Sequence, residues 1–215
     1  PEEKFEVREG VPTRVYPNAR KPDWPEAEYI VGNPPFIAGQ DFRRQFGDAY
    51  AEALWQVYKP MPGGADFVMY WWDRAAGLVA AGSAKRFGLV TTNSITMAFS
   101  RRVVAKHLDG KEPVSLLMAI PDHPWTKVTD DSAAVRIGMT VGIAGRHEGG
   151  LREVIRESGL KTDQPEVEFK TTVGRINADL TVGSDVTAAE QLSANLGICH
   201  DGVKLHGAGF IVTPA

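Results

Sequence analysis

The sequence predicts an α/β protein built on a partly parallel sheet, with a final antiparallel strand pair and a mostly β region after it. Three observations predict this. Short apolar runs alternate with segments of helical periodicity, as strands and helices do in a layered α/β fold. The apolar runs "VSLLMAI" (114–120) and "AAVRIGMTVGIAG" (133–145) have no helical segment between them, so their connection is most simply antiparallel. Beyond residue 150, "LREVIRES" and "PEVEFKTTVGRI" alternate polar and apolar residues in the manner of strands.

Each element follows from its residues. Residues 1–28 are rich in proline and charge, which predicts a loop with one short strand at most. "EYIV" (28–31) reads as a short strand of the kind buried in a parallel sheet. "DFRRQFGDAYAEALWQVY" places Phe42, Phe46, Tyr50, Ala53, Leu54 and Val57 at helical spacing, with Asp41 as N-cap and Gly47 weakening the middle. Asp66 is expected to cap a second helix through about Ala81, with Gly82 at its C′ position. "KRFGLVTTNS" contains a strand over 86–92, and Ser100 is expected to open the helix "RRVVAKHL". A change of domain is expected near Gly149–Gly150, dividing a first part, 1–149, from a β-rich extension, 150–215.

The 215 residues suffice for one sizeable core, and 43% hydrophobic with 24% charged residues is ordinary for a globular chain. A net charge of -3 argues against a globally basic nucleic-acid binder but leaves room for a local basic face. The single cysteine, Cys199, excludes an internal disulfide and fits a reducing compartment. No apolar run is long enough for a membrane-spanning helix, and no secretory leader opens the chain, so a cytoplasmic setting is expected. The chain opens on "PEEKFEVREG", without methionine, and reads as a piece of a longer protein.

The chemistry concentrates in "YIVGNPPFIAG" (29–39), where a strand runs into Asn33, Pro34, Pro35 and Phe36. Proline lacks the N–H that a sheet ladder needs and restricts its predecessor, so the strand ends there in a stiff loop. The exocyclic amine of adenine or cytosine is a poor nucleophile because its lone pair is conjugated with the ring. Two acceptors aimed at its hydrogens would localise that pair, and Asn33 Oδ1 with the Pro34 carbonyl makes such a couple on a preorganised backbone. Phe36 offers a flat face on which an extruded base can stack.

"GNPPF" after a strand resembles the catalytic motif of AdoMet-dependent amino-methyltransferases. "GGADFVMYWWDRAAGLVAAGSAKRFGLVTTNSI" and "LLMAIPDHPWTKVTDDSAAVRIGMTVGIAG" extend the resemblance to the gamma-type adenine-N6 DNA methyltransferases. The chain looks most like the methylase part of single-chain type II restriction–modification enzymes, and of related phage-defence methylases. The resemblance implies the C-terminal half of a Rossmann-like methyltransferase sheet, with S-adenosylmethionine as methyl donor, adenine N6 in double-stranded DNA as acceptor, and a bacterial source. It implies catalytic roles for Asn33, Pro34, Pro35 and Phe36. The tail, including "GVKLHGAGFIVTP", looks like a link into a target-recognition domain. The family's glycine-rich cofactor loop precedes this motif, whereas only Gly10 stands upstream of Val31. The main cofactor loop is therefore expected before Pro1, in the rest of the parent chain, and the piece is not expected to be active alone.

Thr91, Thr92 and Asn93 follow a strand at the sheet's carboxyl edge, where ligands of open α/β sheets collect. Thr92 and Asn93 are substrate-side candidates, as are His123 and Trp125 of "PDHPW"; a simple turn and loop decoration are the competing readings. The paired arginines at 43–44 and 101–102, with Lys106, are candidates for phosphate contacts, although solvated helix faces are commoner. "YWW" (70–72) is read as core packing ahead of a stacking platform. Asp163, Glu168 and Lys170 have a nuclease-like spacing that any half-exposed strand also shows, and the histidines lack metal-ligand spacing with Cys199, so no metal site is expected. Rival readings are an amino-methyltransferase for RNA guanine or protein glutamine, and a non-catalytic DNA-binding subunit. Cytosine N4 is disfavoured because in the resembled families it commonly goes with serine in place of Asn33.

Overall fold

The computed structural model describes residues 3–8, 11–125, 135–160, 162 and 164–185. Cys199, His200, His206, "GVKLHGAGFIVTP" and Asp163 lie outside the described residues. The first 28 residues hold two strands rather than one at most: β1 (Lys4–Arg8) and β2 (Val11–Val15) pair antiparallel. Alternation of charged and apolar residues in "KFEVR" satisfies a two-stranded ribbon despite the charge that suggested a loop.

The main sheet has six strands in the order β3-β4-β6-β5-β7-β8. These are β3 (Tyr29–Gly32), β4 (Arg86–Thr92), β5 (Val114–Pro124), β6 (Arg136–Ala144), β7 (Gly149–Ser158) and β8 (Glu166–Gly174). β3 runs parallel to β4, while β6 is inserted antiparallel between β4 and β5, in line with the antiparallel pair that the sequence predicts. Among the described residues β3 pairs with β4 alone, and only one of its faces is covered. Ile30 packs on the core, whereas Val31 is 85% exposed. The face shared by Val31, Val90, Met139 and Val141 carries no helix among the described residues, which is why the apolar run misled.

The opposite face is covered by α3 (Val68–Ala80) and α4 (Ala98–Leu108). Val68, Met69, Trp72, Ala75, Ala76 and Val79 recur at helical spacing and pack on Phe87 and Leu89 of β4. Gly82, with φ 74°, ends the helix: its N–H bonds the Val79 carbonyl at 3.0 Å and the Ser83 N–H bonds that of Leu78 at 2.9 Å. Tyr70 and Phe67, on α3's other side, pack with Phe42 and Ala51 of α1 (Phe42–Phe46) and α2 (Asp48–Val57). In "YWW", Tyr70 and Trp72 are buried and Trp71 is half-buried, so these rings serve packing.

The long helix expected from Phe42 is broken in two at Gly47, whose φ of 79° suits glycine. Asp41 stands at the N-cap position but makes no capping bond; its carboxylate pairs with Arg44 at 2.9 Å. α4 begins at Ala98, two residues before Ser100, which is buried in the first turn. The glycines at 149–150 open β7, which pairs parallel with β5. A Cβ at Gly149 would run into the Leu116–Leu117 backbone, so this glycine permits a close approach within the sheet. The compact unit continues to Asp185.

α3 and α4 are joined by a polar clamp. Asp73 accepts hydrogen bonds from His107 at 2.8 Å and Lys106 at 2.7 Å. Burial alone would raise the Asp73 carboxyl, but these two partners outweigh it and hold it down at about 2. A depressed carboxylate pKa stabilises the fold above its unfolded value and loses that contribution as pH falls through the folded one. Asp73→Asn should therefore cost about 1–2 kcal/mol near neutrality, allowing for screening at exposed Lys106. Between about pH 4 and 2 the variant should lose less stability than wild type. Parallel acid melting curves would contradict this assignment.

Candidate functional site

Because β3, β4 and β5 run in the same direction, their ends at Gly32, Thr92 and Pro124 lie at one sheet edge. The sequence candidates lie at these ends: Thr92 and His123 within the last residues of their strands, Asn33, Asn93 and Trp125 just past them. Asn33 is exposed, and its amide has no hydrogen-bond partner among the described residues. Pro34 is buried beneath it, Pro35 is exposed, and Phe36 is half-buried against the main core. The asparagine therefore projects between the end of β3 and a segment anchored by the packed rings of Pro34 and Phe36.

The structure brings Phe36 and Trp125 together. Their ring centroids are 6.3 Å apart at 84°, an edge-to-face arrangement. Trp125 is 37% exposed, and its backbone N–H donates to the Val135 carbonyl at 3.0 Å, extending the β5–β6 ladder. His123 is not brought to this pair. It stacks on Phe169 of β8, with centroids 5.8 Å apart, and its Nδ1 lies 2.7 Å from the Pro124 carbonyl oxygen.

Thr92 and Asn93 hold the neighbouring loops. The Thr92 hydroxyl donates to Asp66 at 2.7 Å, and the Ser94 hydroxyl bonds the same carboxylate oxygen. Asp66 is thus a brace between the α3 entrance and the end of β4, not the helix cap its position suggested; Phe67 occupies the N-cap position. Asn93 donates to Asp122 at 3.3 Å. Asp122 also accepts from Arg136 at 2.6 Å, and Arg136 reaches Glu157 of β7 at 2.7 Å. Hydrogen bonds from Arg136 to Glu157 and Asp122 push the guanidinium further above its ordinary range and pin the end of β5 next to Trp125. Asp66, Ser94, Asp122 and Arg136 escaped the sequence reading because their roles depend on partners 14 to 29 positions away. Thr91 is buried, with its hydroxyl toward the Gly138 carbonyl at 3.3 Å, and is structural.

The loop bearing Asn33 is fitted to its neighbour by glycine. A Cβ on Gly39 would approach the Ala65 carbonyl oxygen to 2.7 Å, and the Phe67 N–H bonds the Ile37 carbonyl at 2.8 Å. Gly39→Ala should force these loops apart, costing about 1–3 kcal/mol. Weaker amide protection at Phe67 is the expected readout; unchanged exchange there would refute the close fit.

A separate cavity of about 320 Å³ lies on α3's outer side, between Trp24, Tyr50, Leu54, Tyr70 and Trp71. It does not include Asn33, Phe36 or Trp125, and the convergence of loops locates the site better than the size of this hollow. In the nuclease-like spacing, Glu168 pairs with Arg156 at 3.3 Å across β7 and β8.

Residues 10–154 match the family described as MmeI, DNA-methyltransferase domain. The chain belongs to this family. The MmeI-type domain is a DNA-methyltransferase domain of restriction–modification enzymes, in agreement with the resemblance carried by "GNPPF" and its following blocks. The fold matches the solved structure of MmeI, a type IIL restriction–modification enzyme in complex with DNA, with a TM-score of 0.56 and 23% identity. That match covers 76% of this chain and 21% of the MmeI chain, so the chain spans about a fifth of that relative. A weaker likeness links it to a Vibrio vulnificus YJ016 protein described as the modification subunit of a putative type I restriction enzyme. There the TM-score is 0.44 and the identity 11%, over 76% of this chain and 40% of that one. No curated protein sequence matches the chain. Among the described residues no helix is long and apolar enough to cross a membrane.

Proposed function

We propose that this MmeI-type domain carries the amine-activating part of an adenine-N6 DNA methyltransferase that uses S-adenosylmethionine. The observation that carries the reading is Asn33: an exposed amide without a partner among the described residues, on a proline-stiffened loop whose Phe36 meets Trp125. Asn33 Oδ1 and the Pro34 carbonyl accept the two amine hydrogens and localise the nitrogen lone pair. Phe36 and Trp125 form two sides of a slot for the extruded base, with Phe36 stacking and Trp125 closing the edge. Asn33 stays neutral throughout, which suits an amine that never becomes an anion. After transfer the nitrogen is cationic and acidic, so its proton leaves without a strong base.

S-adenosylmethionine would supply the methyl group. Among the described residues no glycine-rich turn stands ahead of β3, so these residues do not make up the principal cofactor site. Residues 150–215 are taken to lead toward the part that selects the DNA sequence.

Nucleoside mass spectrometry tests the reading on DNA from a methylation-deficient host expressing the complete reading frame. N6-methyladenine is the expected product. N4-methylcytosine would keep the amine chemistry and change the base. No modified base, with cofactor binding intact, would overturn the DNA assignment in favour of an RNA or protein amine.

A further inference from the structure

Two pairs of adjacent arginines look alike in sequence, and the structure separates them. Arg43 is paired with Asp48 at 2.6 Å and Glu52 at 3.5 Å, and Arg44 with Asp41 at 2.9 Å. Lys106 is likewise bound to Asp73. Arg101 and Arg102, early in α4, have no ion-pair partner among the described residues. Beside them two large apolar side chains are open to water: Met97 is 63% exposed and Phe99 49% exposed. The Arg102 guanidinium lies 5.7 Å from the Phe99 ring centroid, so cation and ring form one patch.

The position of this patch matters more than its composition. α4 starts just beyond the end of β4, on the same sheet edge as Asn33. The Phe99 ring lies over Gly64, where a Cβ would come within 2.5 Å of it. Gly64 lies against Gly39, where a Cβ would meet the Gly64 carbonyl carbon at 2.8 Å. Contact therefore runs unbroken from the loop bearing Asn33, through Gly39 and Gly64, to Phe99 and Arg102. A ligand presenting one group to Asn33 would lay its flank across α4.

We infer that Met97, Phe99, Arg101 and Arg102 form a lip that carries the phosphate backbone of the DNA strand beside the target base. The inference rests on the nucleic-acid reading of the site given above. A polyanion can neutralise both guanidiniums with successive phosphates of one strand, while Phe99 and Met97 lie against the sugar or the neighbouring base. A protein partner would need two acidic side chains set in an apolar surface to do the same. The lip thus supplies sequence-independent affinity and holds the strand still while the base is out of the stack.

The test measures DNA binding by the full-length protein against salt concentration, using a fluorescent duplex of mixed sequence. Replacing both residues, Arg101→Gln with Arg102→Gln, should lower the slope of log affinity against log salt by about 2 and weaken binding about tenfold or more. Arg101→Lys with Arg102→Lys should restore the slope, which a damaged fold would not. The paired control, Arg43→Gln with Arg44→Gln, should leave the slope unchanged. Phe99→Ala should weaken binding at every salt concentration without changing the slope. A wild-type slope in the Arg101/Arg102 glutamine variant would overturn the lip and leave the methyltransferase reading standing. A wild-type protein that binds no DNA would overturn both.

Discussion

Asn33→Ala is expected to lower methyl transfer about 100- to 1,000-fold while leaving thermal stability within about 0.5 kcal/mol of wild type. The two halves of this expectation have separate causes. Asn33 is exposed, and its amide bonds to nothing among the described residues, so the folded state loses no hydrogen bond when the side chain is cut back. Its removal takes away one of two acceptors for the substrate amine, an interaction that strengthens as the nitrogen becomes tetrahedral. The loss should therefore fall on kcat more than on KM, because base stacking against Phe36 and Trp125 is retained. Single-turnover kinetics of the full-length protein separate the two. An unchanged kcat with a raised KM would mean that Asn33 merely helps hold the base, and the amine-polarising role would fall.

The adjoining prolines explain why so much of this site is legible without a structure. In "GNPPF" the strand end, loop stiffness and acceptor group are set by residues next to one another. The antiparallel insertion of β6 is equally readable, because the sequence after "VSLLMAI" shows no helical pattern and leaves few alternatives. What sequence could not convey depends on partners distant along the chain. Asp66 has the position of a helix cap, and only the approach of Thr92 and Ser94 makes it a brace. The two arginine pairs differ only in whether carboxylates fold up beside them. "EYIV" is apolar enough for burial on both faces, yet Val31 is exposed among the described residues, since apolar content reports a preference for burial and not the presence of a cover.

The small residues of β6 have a related meaning, and they lead to the largest expected effect on stability. Thr140 and Gly142 point to the same side of the sheet as Phe87, beneath α3. A Cβ on Gly142 would overlap the Phe87 ring, so the glycine makes room for it. Trp72 then rests edge-on against Phe87, with centroids 5.2 Å apart, and its indole N–H donates to the Thr140 hydroxyl at 3.0 Å. The inserted strand is thus pinned to α3 by one fully buried side chain. Trp72→Ala should cost about 3–5 kcal/mol, since it leaves a cavity against Phe87 and strips the Thr140 hydroxyl of its partner. Thr140→Val alone should cost about 1–3 kcal/mol, because the indole N–H stays buried with no acceptor. Trp72→Phe combined with Thr140→Val should cost less than the sum of the two single changes, since the donor and acceptor leave together. Hydrogen exchange of β4 and β6 amides in the full-length protein reads these differences locally. Additive losses in the double variant would show that the hydrogen bond contributes nothing beyond packing. Because Asp66 lies just before α3 and holds Thr92 and Ser94, loosening the helix should also lower methyl transfer as β4 protection falls. A destabilised variant with full activity at the same temperature would show that the braced loops hold their geometry without the pin.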